Sequence, residues 1–594
     1  MTSHEIIQST SSDPLIALGP SLFLQILSNL PLSSLQTCNS VRKSWQYLIA
    51  SSRGTLYRPI AHQIGIEIPH VKNLEALEKA TAQSSLWMDP EEPPETEEPS
   101  SSGASVDWKG VIKSHVDLQN NWKFAKAKNQ WIYPGRNTVW RIKVDKEEKT
   151  IITSSRLDGI LISDMETSEP LFEYEDMTPY SHLEFVNGHL IFNTGDDHTF
   201  EVHITPTALK RLSPEKRKSL PPASRSATRG EGYSFPLQNH YTPSTDRSSI
   251  PPRGHLTYYK SIRPRTECFA FRARVDKEYT EDERLMFGTS SGTEAYIYNL
   301  QSENNSDMEK FVFERDDRGR PNYIEFDDDY LFICSRFSIH VYSRLTKKKI
   351  MTFPPAVTAP FDAASAIYTC FDTSKDFKKV PKIRSGQVVI GEAKLQGKWI
   401  DDAGFEGVMM STGQSRVAGR EFSALHYTSK DLFATTRAGT LYMLRNYHEC
   451  LSIQDPILRD KAVNANLIAV VFRESLLQLA TYGEHVVTTS PTSMFLLDTS
   501  SLPLPPYNTG SSDTRPSIRI NKLLNVHEKG MGQCSCLQLD REKIYAVYWA
   551  LGESEAGGVQ DHDGGKILPP PEATSDFGIC VKVWNFGVNN TEYQ

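Results

Sequence analysis

The sequence predicts a mainly β chain, with a small N-terminal α-helical unit followed by a seven-bladed β-propeller, or an eight-bladed one if the terminal region splits. Three observations predict this. From Val139 the chain runs in short apolar β segments separated by turns, and its first unit, VWRIKVDKEEKTIITSSRLDGILISDMETSEPLFEYE, reads as four strands with a tight turn at Asp158-Gly159. Asp-Gly between two apolar β runs is a strong hairpin signal. Weaker copies of this unit recur to the C-terminus, as expected for blades in series. Ahead of them the period changes: Leu22, Ile26, Leu27 and Leu30 recur at helical spacing behind Pro20 and Ser21, which suit a helix start.

Pro31 ends this first helix. Ser33 or Ser34 suits the cap of a second short helix carrying Leu35. Val41, Trp45, Leu48 and Ile49 mark a third. A unit this small with this much apolar surface usually needs a partner. The plainer alternative is a helical cap docked on the rest of the chain. Leu18, Pro20, Leu22, Leu24, Ile26, Leu27, Leu30, Leu35, Val41, Lys43 and Trp45 fall in step with the F-box pattern, and residues 11–57 resemble that module. Gly19, Ser21 and Arg42 depart from the pattern, standing where the family usually has Pro, Glu, and Cys or Ser. The resemblance implies that Leu18, Pro20, Leu22, Ile26, Leu27, Leu30, Leu35, Val41 and Trp45 bind a Skp-family adaptor. Through it the chain would reach the cullin and RING subunits of an SCF-type ubiquitin ligase.

Residues 58–88 read as a helical linker. The stretch DPEEPPETEEPSSSG within 89–104 has no apolar residue to bury, and its like charges repel, so a disordered linker is expected. Residues 105–138 are similar to the connector between F-box and propeller in F-box/WD-repeat proteins, with Trp108-Lys109 followed by Asn121-Trp122.

The propeller is expected over 139–587, with a short tail at 588–594. Its first unit resembles a WD-repeat blade with Ser163-Asp164 in place of Trp-Asp, and Val583-Trp584-Asn585 is a near-WD ending. Further units begin near His189, Arg284, Tyr330, Asp431 and His485, and a less regular one is expected between Phe361 and Gly413. A strand from Trp131–Tyr133 or Val139–Val144 is expected to close the ring beside Ile579–Trp584. Residues 206–253, rich in proline and basic residues, are expected to form a disordered loop. Its KRLSPEKRK string suits a nuclear-import signal or a kinase site at Ser213-Pro214, although short basic strings are commonly just solvated.

A net charge of −8 argues against a dedicated nucleic-acid binder. The eight cysteines are scattered and Cys534-Ser-Cys536 lacks C-x-x-C spacing, which fits a reducing compartment. No signal peptide or membrane span is expected, since the best apolar run, Leu467–Phe472, stops at Arg473 and Glu474. The chain reads as cytoplasmic or nuclear. Gly288-Thr289-Ser290-Ser291-Gly292 matches the G-x-S-x-G elbow, but the β run after it denies the motif its strand-turn-helix setting. No phosphate-cradling loop, metal-ligand spacing or acid/base pair is found, so no catalytic residue, cofactor or metal is expected.

At the end of the second strand of three units stand Arg156, Arg336 and Arg437. This resembles the arrangement by which some F-box/WD receptors hold a phosphorylated peptide, and guanidinium offers forked donors to such an anion. The alternative is that each pairs with a neighbouring blade's carboxylate. The expected function is therefore a non-catalytic substrate receptor. Its target protein, and whether that target is phosphorylated, are not set by the sequence. The second reading is an adaptor-bound scaffold or regulatory propeller outside a cullin complex.

Overall fold

The computed structural model describes residues 14–61 except 31, 53–55 and 58, then residue 66 and residues 108–132. From 139 to 587 it describes all but 156–158, 175–181, 194–198, 222–249, 277–283, 303–306, 314–320, 337, 354–366, 372–386, 390, 393–420, 438, 473–474, 492, 501–516, 526–530 and 551–578. The expected acidic linker at 89–104, nearly all of the linker at 58–88 and most of the tail lie outside the described residues. The chain divides into two units, residues 1–122 with 587–594, and residues 123–586.

In the first unit, α1 (Pro14–Leu27), α2 (Leu32–Asn39) and α3 (Lys43–Ser51) are followed by α4 (Trp108–Lys123). Helix α1 is bent at Gly19, whose φ of 75° and ψ of 162° put it in a region that side-chain-bearing residues avoid. Phe23, Leu27, Leu35, Ile49, Leu56, Tyr57, Ile60 and Ile112 form the core, with Leu30 and Trp45 packed partly buried against it. The Trp45 ring meets Phe23 edge-on at 4.6 Å.

Strand β1 (Lys128–Ile132) opens the second unit. Blade 1 is β2 (Val139–Asp145), β3 (Thr150–Ser155), β4 (Ile160–Asp164) and β5 (Pro170–Tyr174). Blade 2 is β6 (Leu183–Val186), β7 (His189–Asn193), β8 (Phe200–Ile204) and β9 (Thr257–Ile262), with α5 (Pro206–Arg211) and α6 (Pro214–Ser219) inserted before its last strand. Blade 3 is β10 (Ala270–Asp276), β11 (Arg284–Ser290), β12 (Glu294–Asn299) and β13 (Met308–Val312). Blade 4 is β14 (Tyr323–Phe326), β15 (Tyr330–Cys334), β16 (Ile339–Ser343) and β17 (Lys349–Phe353). Three short strands follow, β18 (Ile367–Phe371), β19 (Gln387–Val389) and β20 (Gly391–Glu392). Blade 5 is β21 (Phe422–Tyr427), β22 (Leu432–Thr436), β23 (Thr440–Leu444) and β24 (Leu467–Phe472), interrupted by α7 (Tyr447–Ser452) and α8 (Pro456–Asn466). Blade 6 is β25 (Gln478–Tyr482), β26 (His485–Thr489), β27 (Ser493–Asp498) and β28 (Ser517–Asn525). Blade 7 is β29 (Met531–Leu539), β30 (Lys543–Ala550), β31 (Ile579–Asn585) and, as its fourth strand, β1.

Seven antiparallel meanders thus make a seven-bladed propeller. Its strands read as continuous apolar runs because both faces of each sheet are buried. Ile151 of β3 points into the cluster shared with blade 7, and Ile152 into the cluster shared with blade 2. Similar clusters lie between blades 2 and 3, 3 and 4, 4 and 5, and 5 and 6. Blades 6 and 7 meet where the Tyr548 hydroxyl lies 4.0 Å from the Met494 sulfur.

Four expectations are corrected. The terminal region does not split, since 531–585 with β1 makes one blade. The ring begins at 128 and not at 139, because Lys128–Ile132 pairs with Asn585–Val581 while Val139–Asp145 is the first strand of blade 1. The unit expected between Phe361 and Gly413 lies mostly outside the described residues, and its described strands extend other sheets: β18 pairs parallel to β24 and β19 antiparallel to β28. The loop expected at 206–253 opens with two ordered helical turns. Thr205 and Ser213 cap α5 and α6, each with proline at the first helical position. Ala208, Leu209 and Leu220 are buried there, and residues 222–249 lie outside the described set.

Candidate functional site

On α1 two apolar stripes run side by side. Phe23 and Leu27, one helical turn apart, face the core. Leu22 and Ile26, rotated by one residue, are 54% and 45% exposed. Leu18 and Val41 are exposed as well, and so is Tyr47, which the sequence pattern did not single out. The expected adaptor-binding set therefore separates. Leu18, Pro20, Leu22, Ile26 and Val41 are exposed, whereas Leu27 and Leu35, 1% exposed each, are core residues with no surface to offer a partner. Leu30 and Trp45 serve mainly to fill that core.

The three arginines also separate. Arg156 lies outside the described residues. Arg336 and Arg437 both reach one carboxylate, Glu421, just ahead of blade 5. Arg336 pairs with it directly, and Arg437 Nε lies 3.9 Å from its second oxygen. The backbones are joined too, Phe422 N–H donating to Arg336 O at 2.9 Å and Arg437 N–H to Glu421 O at 2.8 Å. The corresponding turns of blades 3 and 6 hold no cation. There Ser291 Oγ accepts the Glu294 N–H at 2.9 Å and Ser490 Oγ the Ser493 N–H at 2.9 Å, closing the hairpins. The G-x-S-x-G match sits in this setting, with Ser290 ending β11 and its hydroxyl donating to Ser291 O. Gly288 is a packing glycine, since a Cβ there would lie 2.5 Å from Cε1 of Phe326 in blade 4.

The innermost strands carry a charge relay that has no local sequence signature. Lys143 (blade 1) pairs with Glu184 (blade 2) at 3.2 Å. Arg272 (blade 3) holds Glu184 at 2.9 Å and Glu325 (blade 4) at 2.6 Å, and its third nitrogen lies 3.2 Å from His426 Nε2 (blade 5). Burial alone would raise the Glu184 carboxyl, but Lys143 and Arg272 outweigh it and hold it below the usual range. Glu325 shares Arg272 with Glu184, so burial pushes its carboxyl up to about 7 against the pull of Arg272 and, more weakly, of Lys143, with Glu184 adding to the rise. Burial and the flanking cations keep His182 and His426 well below the usual imidazole value. Arg141 donates to neutral His182 at 3.3 Å and to Ser535 O of blade 7 at 3.2 Å. Among the described residues it pairs with no carboxylate. Arg274 continues the tie, donating to Tyr427 of blade 5 at 2.9 Å and to Phe326 O of blade 4 at 3.0 Å.

Sheets and site together define a seven-bladed β-propeller whose inner strands are cross-tied by ions, with a separate helical unit bearing an exposed apolar face. No family model matches the chain, and no curated protein matches it. Among solved structures it is similar to the Cps50 (Swd1) β-propeller domain of Myceliophteria thermophila, at 9% identity and a TM-score of 0.37, covering 77% of this chain and 98% of that one. It is similar also to the RRP9 WD40 repeats, at 8% identity and a TM-score of 0.37, covering 77% and 97%. A third likeness is to the computationally designed Ika8 protein, at 11% identity and a TM-score of 0.35, covering 77% and 98%. The propeller assignment stands on the seven sheets and not on these likenesses. Among the described residues no helix is long and apolar enough to cross a membrane.

Proposed function

We propose that this chain is the substrate receptor of an SCF-type ubiquitin ligase, with the N-terminal unit docking on a Skp-family adaptor and the propeller holding a target protein. The observation that carries the reading is the exposed stripe of Leu22 and Ile26 on α1, with Leu18, Val41 and Tyr47 exposed as well, on a unit that already fills a core with other side chains. Large apolar side chains exposed one helical turn apart suit a protein-interaction surface. In this reading the chain is not itself a catalyst, and it works in the cytoplasm or nucleus. On the propeller, the target-binding role moves away from Arg336 and Arg437, which share Glu421. Arg141 on the inner strand β2, which among the described residues pairs with no carboxylate, is the cation better suited to meet an acidic group of the target.

The test is co-purification of the full-length chain with the adaptor and a cullin, comparing wild type with Leu22→Asp plus Ile26→Asp. The wild type brings down both and the double variant neither. A wild type that brings down the adaptor without a cullin would favour the scaffold reading, and one that brings down neither would end both.

A further inference from the structure

Five Ser/Thr-Pro dipeptides occur in the sequence, at Thr178, Thr205, Ser213, Thr242 and Ser490, and three of these acceptors lie among the described residues. The fold treats the three differently. Thr205 and Ser490 are 3% and 1% exposed, with Thr205 Oγ1 accepting the Ala208 N–H and Ser490 Oγ engaged in its hairpin. Ser213 Oγ likewise accepts an N–H, that of Lys216 at 3.2 Å, but Ser213 is exposed, between α5 and α6, with an extended backbone (φ −62°, ψ 153°). Residues that precede proline favour this conformation. Pro214, Glu215, Lys216, Arg217 and Lys218 follow it.

The string around it is not a free basic tail. Arg211 is held by Glu147 and Asn187, and α5 is anchored where the Thr207 N–H and hydroxyl donate to Glu148 at 2.8 Å each. An import signal read as an extended peptide has no such peptide here. What the segment presents is one accessible hydroxyl followed by proline and three basic residues.

We propose that Ser213 is a phosphorylation site for a proline-directed Ser/Thr kinase using ATP. Ser213 Oγ attacks the γ-phosphorus, the new O–P bond forms as the bond to the ADP oxygen breaks, and ADP leaves. The hydroxyl proton passes to the kinase's catalytic base. A kinase groove that accepts proline after the acceptor needs no N–H there. The first turn of α6, a six-residue helix, is undone at little cost because so short a helix has little stability of its own. The product brings about −1.5 to −2 charges into a string that carries Lys210, Arg211, Lys216, Arg217 and Lys218 with one acidic residue of its own, Glu215. This inference does not depend on the function proposed for the N-terminal unit.

The test incubates the full-length chain with a proline-directed kinase and ATP and reads site occupancy by peptide mass spectrometry, with the isolated peptide 208–220 as a positive control. Occupancy at Ser213 should exceed that at Thr205 and Ser490 at least tenfold. It should disappear in Ser213→Ala and fall at least tenfold in Pro214→Ala, with both variants melting as the wild type does. A peptide that is modified while the full chain is not would overturn the proposal. So would occupancy unchanged by Pro214→Ala, or no modification of either substrate.

Discussion

Replacing Arg272 by methionine removes the cation that pairs with both Glu184 and Glu325 and keeps the side chain's bulk. Glu184 retains Lys143 at 3.2 Å, so the orphaned group is Glu325. Breaking a buried pair on one side costs about 3–5 kcal/mol, because an uncompensated charge stays behind. The cost depends on pH, with a definite sign. The folded-state value of Glu325, about 7, lies above its ordinary 4.5. Its favourable contribution is therefore complete below about pH 4.5 and lost as pH rises through 7, a span on the order of 3 kcal/mol. Without Arg272 the desolvation remains and only the weaker pull of Lys143 is left, so the folded-state value rises further and the loss extends to higher pH. The difference between wild type and Arg272→Met should thus be small at pH 5 and grow steadily to pH 8.5. Thermal midpoints followed by intrinsic fluorescence across that range measure it, and taking the difference cancels the opposite trend of His189 and His485, whose values near 4 favour the fold above pH 6.5. A difference that is flat with pH, or largest at pH 5, would refute the assignment of the shared charge.

Two further outcomes are expected. Gly288→Ala places a methyl carbon 2.5 Å from the buried Phe326 ring and should destabilise the propeller by about 1–3 kcal/mol, with Phe326→Leu recovering part of the loss in thermal melts. Arg336→Ala and Arg437→Ala, at side chains 61% and 62% exposed, should each shift stability by less than about 1 kcal/mol; a much larger drop in the melting midpoint would show that the Glu421 cluster holds the blade 4–5 junction together.

Much of the propeller is legible in its strands, although their spacing is irregular, because a blade buried on both faces needs runs such as Tyr330–Cys334 followed by tight turns such as that closed by Ser490 and Ser493. Two segments are compatible with the closing strand in sequence, since pairing with Ile579–Asn585 is a contact across more than 400 residues that no local pattern encodes. On α1 the sequence is apolar around most of the helix, so periodicity finds Leu22, Ile26 and Leu27 together without saying which face turns inward. Phe23, one residue from the exposed stripe, is the core residue it passed over. In α5 and α6 the signal was present, as Thr205-Pro206 and Ser213-Pro214 are capping pairs, but a proline-rich, basic composition masks such short elements. The relay through Arg272 and the pairing of Arg336 with Glu421 join residues 41 to 154 positions apart across blades, and that distance hides them from any motif.

The central claim is that the exposed stripe on α1 binds an adaptor while the stripe beside it holds the unit together. Titrating the purified full-length chain with a purified Skp-family adaptor, by calorimetry, tests it most directly. Two large apolar side chains buried on binding contribute about 1.5–3 kcal/mol each. Leu22→Asp with Ile26→Asp should therefore weaken the adaptor at least ~100-fold and leave the helical content unchanged, whereas Leu27→Asp should lose the helical unit itself. Adaptor binding at wild-type affinity by the Leu22/Ile26 double variant, or no binding by the wild type, would contradict the account.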